Sequence, residues 1–482
     1  MHTLPSNPAA GEIPVTTQAT PVPLVGTLVA LSLSMLLASL GTSIANVGLP
    51  TLVRAFGASF QAVQWVVLVY LLAVTTLVVS AGRLGDIAGR RRLLLVGTAL
   101  FTVASLGCGL APTLGLLIAA RGVQGMGAAL MMALTIAFVG ETVPKAKTGT
   151  AMGLLGTMSA VGTALGPSLG GFLIEGFGWR ALFFVSAPLG VATFLLGRRY
   201  LPADRRRSPG GPGIDRVGTV LLAATLGAYA LAMTVGHGRL DPMNFGLLAL
   251  AAVGAGVFVW AETKATSPLL PLAMFRDVVL SASLATSGLV STVIMATLVV
   301  GPFYLSRVLG LDAAKVGLVL STGPLVAALS GVPAGRLADR FGVQRILAAG
   351  LGAMAGGCFM LCVLPPTFGI AGYVFPLVLV TAGYAFFQTA NNTAVMAGLH
   401  ADQRGVRSGM LNLSRNLGLV TGASAMGAVF AFGMATAQSD PAGPEAVARG
   451  LRMTFAVGTV LIGVALSLVC AVGVRDRNSR KT

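Results

Sequence analysis

Fourteen long apolar stretches dominate this sequence and limit the folds open to it more than any other feature. Each approaches the roughly 20 apolar residues that an α-helix needs to cross a bilayer. They lie at 23–50, 62–82, 92–111, 114–139, 148–174, 178–200, 216–236, 242–261, 278–303, 313–335, 343–364, 367–396, 408–435 and 450–474. Because backbone groups in lipid must be satisfied within the chain, we predict an all-α membrane protein with fourteen transmembrane helices.

The composition agrees with a lipid environment. Hydrophobic residues make up 55% of the 482 residues and charged residues only 10%, whereas a soluble domain carries about 25% charged residues. A protein core alone cannot absorb this much apolar surface. The 64 glycines fit helices that pack closely through small residues.

The basic residues predict how the chain is oriented. Lys and Arg number 32 and occur in short clusters between the apolar stretches. When successive loops are assigned alternately to the two sides of the membrane, 23 of these basic residues fall on one side and 7 on the other. Cytoplasmic loops carry an excess of Lys and Arg. We therefore expect both termini in the cytoplasm of a bacterial cell with the chain in its inner membrane, and we expect no nucleic-acid partner.

Two internal echoes predict a duplicated architecture. The stretch GRLGDIAGRRRLL at 82–94 returns as GRLADRFGVQRIL at 335–347, with seven of thirteen positions identical at an offset of 253. GLLGTMSAVGTALG at 153–166 returns as GMLNLSRNLGLVTG at 409–422, at an offset of 256. Each echo pairs spans that are eight apart, so the repeated unit is six helices and spans seven and eight are inserted.

The echoes also set the expected domain boundaries. The predicted parts are a disordered cytoplasmic tail at 1–22, a first six-helix bundle at 23–200, an inserted helix pair with flanking loops at 201–277, a second six-helix bundle at 278–474 and a basic cytoplasmic tail at 475–482. We expect the inserted pair at the periphery. Parallel repeats of this kind suit a transporter whose halves rock around a midplane site.

The loop between spans two and three carries more than topogenic charge. A basic loop that only fixes orientation has no need of Asp86, yet the Gly-Arg-Leu-x-Asp-x-x-Gly frame recurs in the second bundle. This frame resembles the corresponding loop of the major facilitator superfamily, where it latches the two halves together in one state of the transport cycle. The resemblance implies a conformational latch formed by Gly82, Arg83, Asp86, Gly89 and Arg90, with Gly335 and Asp339 in the second copy.

Span five carries the string GTALGPSLGG. Gly162 and Gly166 share one helix face and allow close packing, and Pro167 removes a backbone hydrogen bond and bends the helix. With Gly170 and Gly171, the string resembles the signature of proton-coupled exporters of this superfamily. The resemblance implies export rather than import.

Two arginines lie inside the predicted spans. Arg121 is about 10 Å from the outer end of span four, a depth at which a charge is costly and usually functional. The string ARGVQGMGAA resembles a motif of the same superfamily whose arginine is implicated in proton coupling, and Gln124 fits that motif. A snorkelling arginine is the alternative. Arg415 in span thirteen has either a binding or gating role or a helix-anchoring role.

Nearly the whole chain, from about residue 23 to 474, resembles the fourteen-span drug:proton antiporters of this superfamily, with one departure. Those antiporters often carry an acid in span one at the position of Gly41. None of the fifteen acids falls near the centre of a span. An exporter of cations usually needs a buried carboxylate, so we expect a neutral, zwitterionic or anionic substrate. If protons are coupled, Asp86, Glu141 and the network of Arg121 are the remaining candidates.

Polar residues within spans are the candidates for the substrate cavity. Each buried amide needs a partner or water, and hydrogen bonding between helices is the alternative for any one of them. The run FFQTANNTAVM at 386–396 is unusually polar for a span. The predicted cavity residues are Gly41, Asn46, Gln64, Tyr70, Gln388, Asn391, Asn392 and Asn412.

These features predict secondary-active export of small, mostly hydrophobic compounds by alternating access and proton antiport. The alternatives are a transporter of a small organic anion or metabolite and a membrane sensor that does not transport. The three histidines show no metal spacing, and the sequence contains no Walker motif. We therefore expect no enzyme activity, metal or cofactor, with the proton gradient as the energy source and lipid and a small-molecule substrate as the partners of a monomer.

Overall fold

The structure is a computed structural model. It describes residues 24–143, 148–204, 215–235, 241–265, 272–396, 401–436 and 443–479. The predicted tail at 1–22 lies outside the described residues.

The described residues are almost entirely helical and contain no β-strand. The helices are α1 (Leu24–Phe56), α2 (Phe60–Ala88), α3 (Arg90–Leu110), α4 (Leu114–Thr142), α5 (Thr148–Phe177), α6 (Ala181–Phe184), α7 (Ser186–Tyr200), α8 (Arg216–Thr234), α9 (Pro242–Lys264), α10 (Val278–Arg307), α11 (Ala313–Phe341), α12 (Val343–Val363), α13 (Gly369–Met396), α14 (Ala401–Thr421), α15 (Gly427–Ala435) and α16 (Pro444–Ser479). Two short 3-10 helices span Leu272–Arg276 and Pro366–Phe368, and a π-helical turn, Gly422–Met426, joins α14 to α15.

Fourteen segments in the described part of the chain are long and apolar enough to cross a membrane, which confirms the predicted fold class. The sixth span is α6 followed by α7, and the thirteenth is α14, the π-helical turn and α15. Several helices run past the predicted spans, because a helix continues in polar residues after the hydrophobic stretch ends. Thus α1 reaches Phe56, and α16 continues to Ser479 through most of the tail predicted at 475–482.

Side-chain caps fix where many helices begin. The first amides of a helix have no partner inside the helix and need an acceptor. An oxygen of the preceding side chain accepts such a bond at the start of five helices, from Ser59 at α2, Thr113 at α4, Asp215 at α8, Asp277 at α10 and Asp312 at α11.

The backbone repeats at the predicted offset of 253 residues. Gly89 separates α2 from α3 with φ 94°, and Gly342 separates α11 from α12 with φ 90°. Gly57 after α1 has φ 57°, and Gly310 after α10 has φ 65°. Side chains with a Cβ rarely adopt these angles. We name the two ends of the bundle after these turns, the Gly57 end with Gly57 and Gly310, and the Gly89 end with Gly89 and Gly342.

Two sets of helices form the halves of the molecule. In the first half α1 packs on α5, and α4 packs on α2 and α3. In the second half α10 packs on α14 and α16, and α12 packs on α13 and α16. The halves meet where α5 contacts α11, where α1 contacts α10, and where α2 contacts the thirteenth span. Two seams therefore run along the molecule, one at α5 and α11 and the other at α2 and the thirteenth span.

The inserted pair is only partly peripheral. Helix α9 packs on α8 and exposes large apolar side chains such as Trp260, which is 63% exposed. Helix α8 lies less far out than α9, since it contacts both α2 and the thirteenth span. Hydropathy identifies both helices as membrane spans, but it does not report which neighbours they have.

The halves touch closely at the Gly57 end. The ring of Phe60 in α2 lies 4.9 Å from that of Phe303 in α10 and 5.3 Å from that of Phe430 in α15. Gly317 in α11 faces Gly171 in α5 so closely that a Cβ there would lie 3.1 Å from the Gly171 Cα and would collide with the Pro167 carbonyl oxygen. These contacts close the Gly57 end.

Toward the Gly89 end the glycines of the same two helices make no such close contacts. A Cβ added at Gly156 in α5, or at Gly331 or Gly335 in α11, would meet no atom within 4 Å. The seam between α5 and α11 is therefore tight at one end and open at the other. From this difference we infer that the described halves form a V that opens at the Gly89 end.

We predict that Gly317→Val opens the Gly57 end, because the added side chain collides with Pro167 and Gly171 across the seam. The measurement is the rate at which a membrane-impermeant maleimide modifies a cysteine in place of Gln64, which is 1% exposed. In a cysteine-free background the rate should rise with Gly317→Val. Gly331→Val, on the same helix in open space, is the matched control. Equal rates in the two variants would contradict the closure described here.

Candidate functional site

Arg121 in α4 lies at the centre of a buried polar cluster in the first half. The residue is fully buried, and its Nε donates a hydrogen bond of 2.9 Å to the Val66 carbonyl oxygen in α2. Its Nη1 donates to Gln124 Oε1 at 2.5 Å, and Gln124 Nε2 donates to Ser105 Oγ in α3 at 2.7 Å. The predicted neighbours Arg121 and Gln124 are thus in contact, and they join α2, α3 and α4.

Aromatic rings take the place of a carboxylate at this arginine. The Arg121 Cζ lies 4.2 Å from the centroid of the Tyr70 ring and 5.9 Å from that of Phe183. Within the described part of the chain Arg121 forms no ion pair, and its Nη2 has no hydrogen-bond partner. A buried cation is costly unless its surroundings compensate it, and the faces of aromatic rings attract cations. The cluster therefore holds a positive charge without a buried acid.

Gly41 makes room for this arrangement. Tyr70 Oη donates to the Ala38 carbonyl oxygen in α1 at 2.7 Å. A Cβ at Gly41 would lie 2.8 Å from Tyr70 Oη and 3.1 Å from Phe101 Cε2. The predictions that Gly41 and Tyr70 line an open cavity are therefore wrong for this structure, because the two residues pack against each other. The Tyr70 side chain, whose ring covers Arg121, thus fills the space beside Gly41 in which an acid was expected from the resemblance.

Three more predicted cavity residues lie in packed protein. Asn46 and Gln64 are each 1% exposed, and the Gln64 amide packs on Gly427 in α15, where a Cβ would collide with it. Asn391 in α13 is buried, and its Nδ2 donates to the Ser283 carbonyl oxygen in α10 at 3.4 Å. These residues serve helix packing here, and Gln64 belongs to the closed Gly57 end rather than to an open cavity.

The remaining predicted cavity residues lie toward the open end of the second half. Asn392 is exposed, and Gln388 is half-buried on the same helix. Asn412 and Arg415 are half-buried on α14, and Arg415 Nη1 lies 3.4 Å from Asn412 Oδ1. The predicted cavity residues that packed protein does not enclose are therefore Gln388 and Asn392 on α13 and Asn412 on α14.

The loop at Gly89 is organised by an acid that the sequence analysis missed. Asp204, just after the sixth span, accepts hydrogen bonds from the backbone amides of Arg91 at 2.7 Å and Arg92 at 3.1 Å. A Cβ at Gly89 would collide with this carboxylate. Asp204 caps the N-terminus of α3, where the positive end of the helix dipole stabilises its negative charge. The only hint in the sequence was that Asp204 is a single acid beside the three arginines at 205–207.

The other loop residues are placed only in part. Arg90 Nη1 donates to the Ala137 carbonyl oxygen in α4 at 3.1 Å, and Arg91 Nη2 contacts the Arg198 carbonyl oxygen. The side chains of Arg83, Asp86 and Glu141 lie outside the described residues. Gly82 has open space where a Cβ would project. The predicted latch role of these residues stays a prediction.

The second copy of the loop lacks the cap. Gly342 precedes α12 with no side-chain cap, and nothing lies within 4 Å of a Cβ placed there. Asp339 and its neighbour Arg340 are exposed, and Gly335 is also in open space. The two copies therefore share a backbone shape but not a hydrogen-bond pattern.

The glycines of span five are points of close contact. Gly162 faces the Leu36 carbonyl oxygen, Gly166 faces Ser43, and Gly170 faces Val47, all in α1. Gly171 faces α11 of the other half, as does the Pro167 carbonyl oxygen. The predicted string thus packs α5 on α1 along one face and on the second half at the Gly57 end.

Comparison with known proteins identifies the family. A family model described as Major Facilitator Superfamily matches residues 31–423. The chain belongs to the major facilitator superfamily. It is therefore a membrane-spanning transporter, and the resemblance found in the sequence is confirmed.

The chain also resembles individual proteins in sequence or in fold. The chain is 32% identical to the multidrug resistance protein Stp of Mycobacterium tuberculosis, over 84% of this chain and 75% of Stp. It is 28% identical to the riboflavin transporter RibZ of Clostridioides difficile, over 84% of this chain and 88% of RibZ. The fold matches a bacterial homologue of the human lysosomal transporter Spinster, in an inward-facing and occupied conformation, with a TM-score of 0.69 at 16% identity over 94% of this chain and 97% of that one.

We predict that Gly41→Asp destabilises this transporter, because the new side chain crowds Tyr70 and Phe101 in a packed interior. Overpacking of this kind costs about 1–3 kcal/mol. Tyr70→Ala on its own should also be destabilising, since it uncovers Arg121. The double variant should be more stable than the sum of the single effects predicts, because the carboxylate then has room beside Arg121.

The measurement is the thermal unfolding of the four purified proteins as a double-mutant cycle. Additive effects of the two substitutions would contradict the packing of Gly41 against Tyr70.

Proposed function

We propose that this transporter exports small, mostly hydrophobic compounds across a bacterial inner membrane by alternating access and proton antiport, as a monomer. The observation that carries the proposal is the V of the two halves, which is closed at Phe60, Phe303 and Phe430 and open at the Gly89 end. An exporter that binds its substrate from the cytoplasm needs an opening on the cytoplasmic side.

The orientation rests on the distribution of charge. The side predicted to be cytoplasmic, which carries 23 of the 32 basic residues, is the Gly89 end. Both termini then lie in the cytoplasm, and the open side of the V faces the cytoplasm. The similarity to Stp supports export, and the glycine string of span five supports it independently.

The chemistry of the interior supports a substrate that is neutral, zwitterionic or anionic. Every acid in the described part of the chain lies within a few residues of a helix end or between helices. The interior instead contains Arg121 and the half-buried Arg415. A cationic substrate would meet positive charge without a carboxylate to compensate it.

The proposed proton coupling needs a group that changes charge. The position of Gly41 supplies none, since Tyr70 and Phe101 fill the space beside it. The candidates are therefore Asp86 and Glu141 near the Gly89 end, together with the hydrogen-bond network of Arg121. Proton release at one of these acids would be linked to movement of the halves rather than to direct contact with the substrate.

A second candidate function is the transport of one specific metabolite, such as an uncharged heterocycle or an organic anion. The similarity to RibZ favours it, as does the polar surface on α13 and α14 with Asn392 and Arg415. The two candidates differ in how many compounds the protein moves, and the same experiment separates them.

The test is transport by the purified protein in liposomes, with ethidium as a cation, riboflavin as a neutral compound and carboxyfluorescein as an anion. Each is assayed with and without a pH gradient. We expect gradient-dependent movement of the neutral or anionic dye and poor movement of ethidium. Movement of one dye alone favours the specific transporter. Proton-driven ethidium transport contradicts the inference from Gly41, and no transport of any dye favours the sensor alternative.

Arg121→Ala is the informative variant in this assay. We expect it to abolish transport while the protein still accumulates in the membrane, because Tyr70, Gln124 and Val66 lose their common partner. Arg180→Ala is the matched control, since Arg180 is exposed at the Gly57 end. Full transport by Arg121→Ala would contradict the role assigned to the cluster.

A further inference from the structure

The inserted helices α8 and α9 form one rigid hairpin. Asn244 Nδ2 at the start of α9 donates to the carbonyl oxygens of Ala232 and Val235, each at 2.7 Å. The side chain thereby caps the C-terminus of α8. Farther along, a Cβ at Gly254 in α9 would lie 2.6 Å from Thr225 Oγ1 in α8. The hairpin therefore moves as a unit, and the position of α8 decides the position of the pair.

Two side-chain hydrogen bonds fix α8 to the first half. Trp65 Nε1 in α2 donates to Thr234 Oγ1 at 3.1 Å, near the Gly57 end. Ser80 Oγ in α2 and Thr219 Oγ1 share a hydrogen bond of 2.6 Å, closer to the Gly89 end. These anchors are about 22 Å apart along α2 at 1.5 Å per residue. Two bonds at such a separation prevent α8 from tilting relative to α2.

The contact of α8 with the second half is of a different kind. It falls on the π-helical turn Gly422–Met426 and on α15, where the Tyr229 hydroxyl faces the side chains of Thr421 and Ser424. A π-helical turn disturbs the regular backbone hydrogen bonds and often marks a functional site within a helix. Ser424 also donates to the Val420 carbonyl oxygen at 2.7 Å, so its hydroxyl has a partner without Tyr229. Ser424 therefore does not depend on this contact, in contrast to the anchors on α2.

We propose that α8 and α9 move with the first half, and that α8 slides over the thirteenth span and keeps the seam at α2 covered from lipid while the halves rock. The proposal rests on the alternating access proposed above. Trp65, Ser80, Thr219 and Thr234 are then positioning residues, and Tyr229 marks the sliding face. The other seam, between α5 and α11, has no such cover among the described helices.

Cross-linking tests the two contacts separately. Cys108, Cys358, Cys362 and Cys470 are first replaced by Ala. One variant then carries Ser80→Cys with Thr219→Cys, and the other carries Tyr229→Cys with Ser424→Cys. A bifunctional methanethiosulfonate reagent with a short spacer joins each pair, and dithiothreitol releases it. Transport of riboflavin and carboxyfluorescein in liposomes is measured before cross-linking, after it and after reduction.

We expect transport to continue when the cysteines at the positions of Ser80 and Thr219 are cross-linked, because α2 and α8 belong to one rigid body in this proposal. Joining the positions of Tyr229 and Ser424 should stop transport, and reduction should restore it. Arrest by the first cross-link, or full transport with the second, would overturn the proposal. A chain that moves no dye before cross-linking would instead contradict the proposed function.

A second measurement does not depend on transport. Spin labels replace Met243 at the start of α9 together with either Arg54, at the end of α1, or Arg307, at the end of α10, and the distances are measured by double electron–electron resonance in liposomes. All three positions are exposed. The distance from α9 to α1 should have one narrow distribution, and that from α9 to α10 a broader one. Equal widths would overturn the proposal.

Discussion

The burial of Arg121 among three helices is the interaction on which the first half depends. An arginine keeps its charge inside a protein, so its surroundings must provide acceptors and a favourable field. Val66 and Gln124 provide acceptors, and Tyr70 covers the guanidinium. Tyr70 fits there only because Gly41 has no side chain. The same packing that compensates the charge therefore removes the place for an acid, and this connects the architecture to the expected charge of the substrate.

Close helix contacts explain the shape of the whole molecule. Lipid provides no hydrophobic driving force between helices, so helices associate where small residues let backbones approach. Gly162, Gly166 and Gly170 hold α5 on α1, and Gly171 and Gly317 hold the halves together at one end only. Toward the other end the glycines of α5 and α11 face open space. Contact at a single end is the arrangement that the proposed rocking of the two halves requires.

The sequence predicted the features that depend on hydropathy or on spacing within one helix. The fourteen spans, the repeat offset and the contact of Arg121 with Gln124 three residues later are of this kind. It did not predict contacts between distant segments, such as the Asp204 cap on α3, the packing of Tyr70 at Gly41 or the position of α8 in a seam. Hydropathy reports that a helix meets an apolar environment, and both lipid and a neighbouring helix provide one.

The measurement that tests the account most directly is the distance between the halves at both ends of one molecule. Arg54 and Arg307 form an equivalent exposed pair at the Gly57 end, and Ala88 and Phe341 form one at the Gly89 end. Spin-label distances in liposomes at acidic and alkaline pH should change in opposite directions at the two ends. Distances that lengthen together, or that change at one end alone, would contradict rocking of two rigid halves.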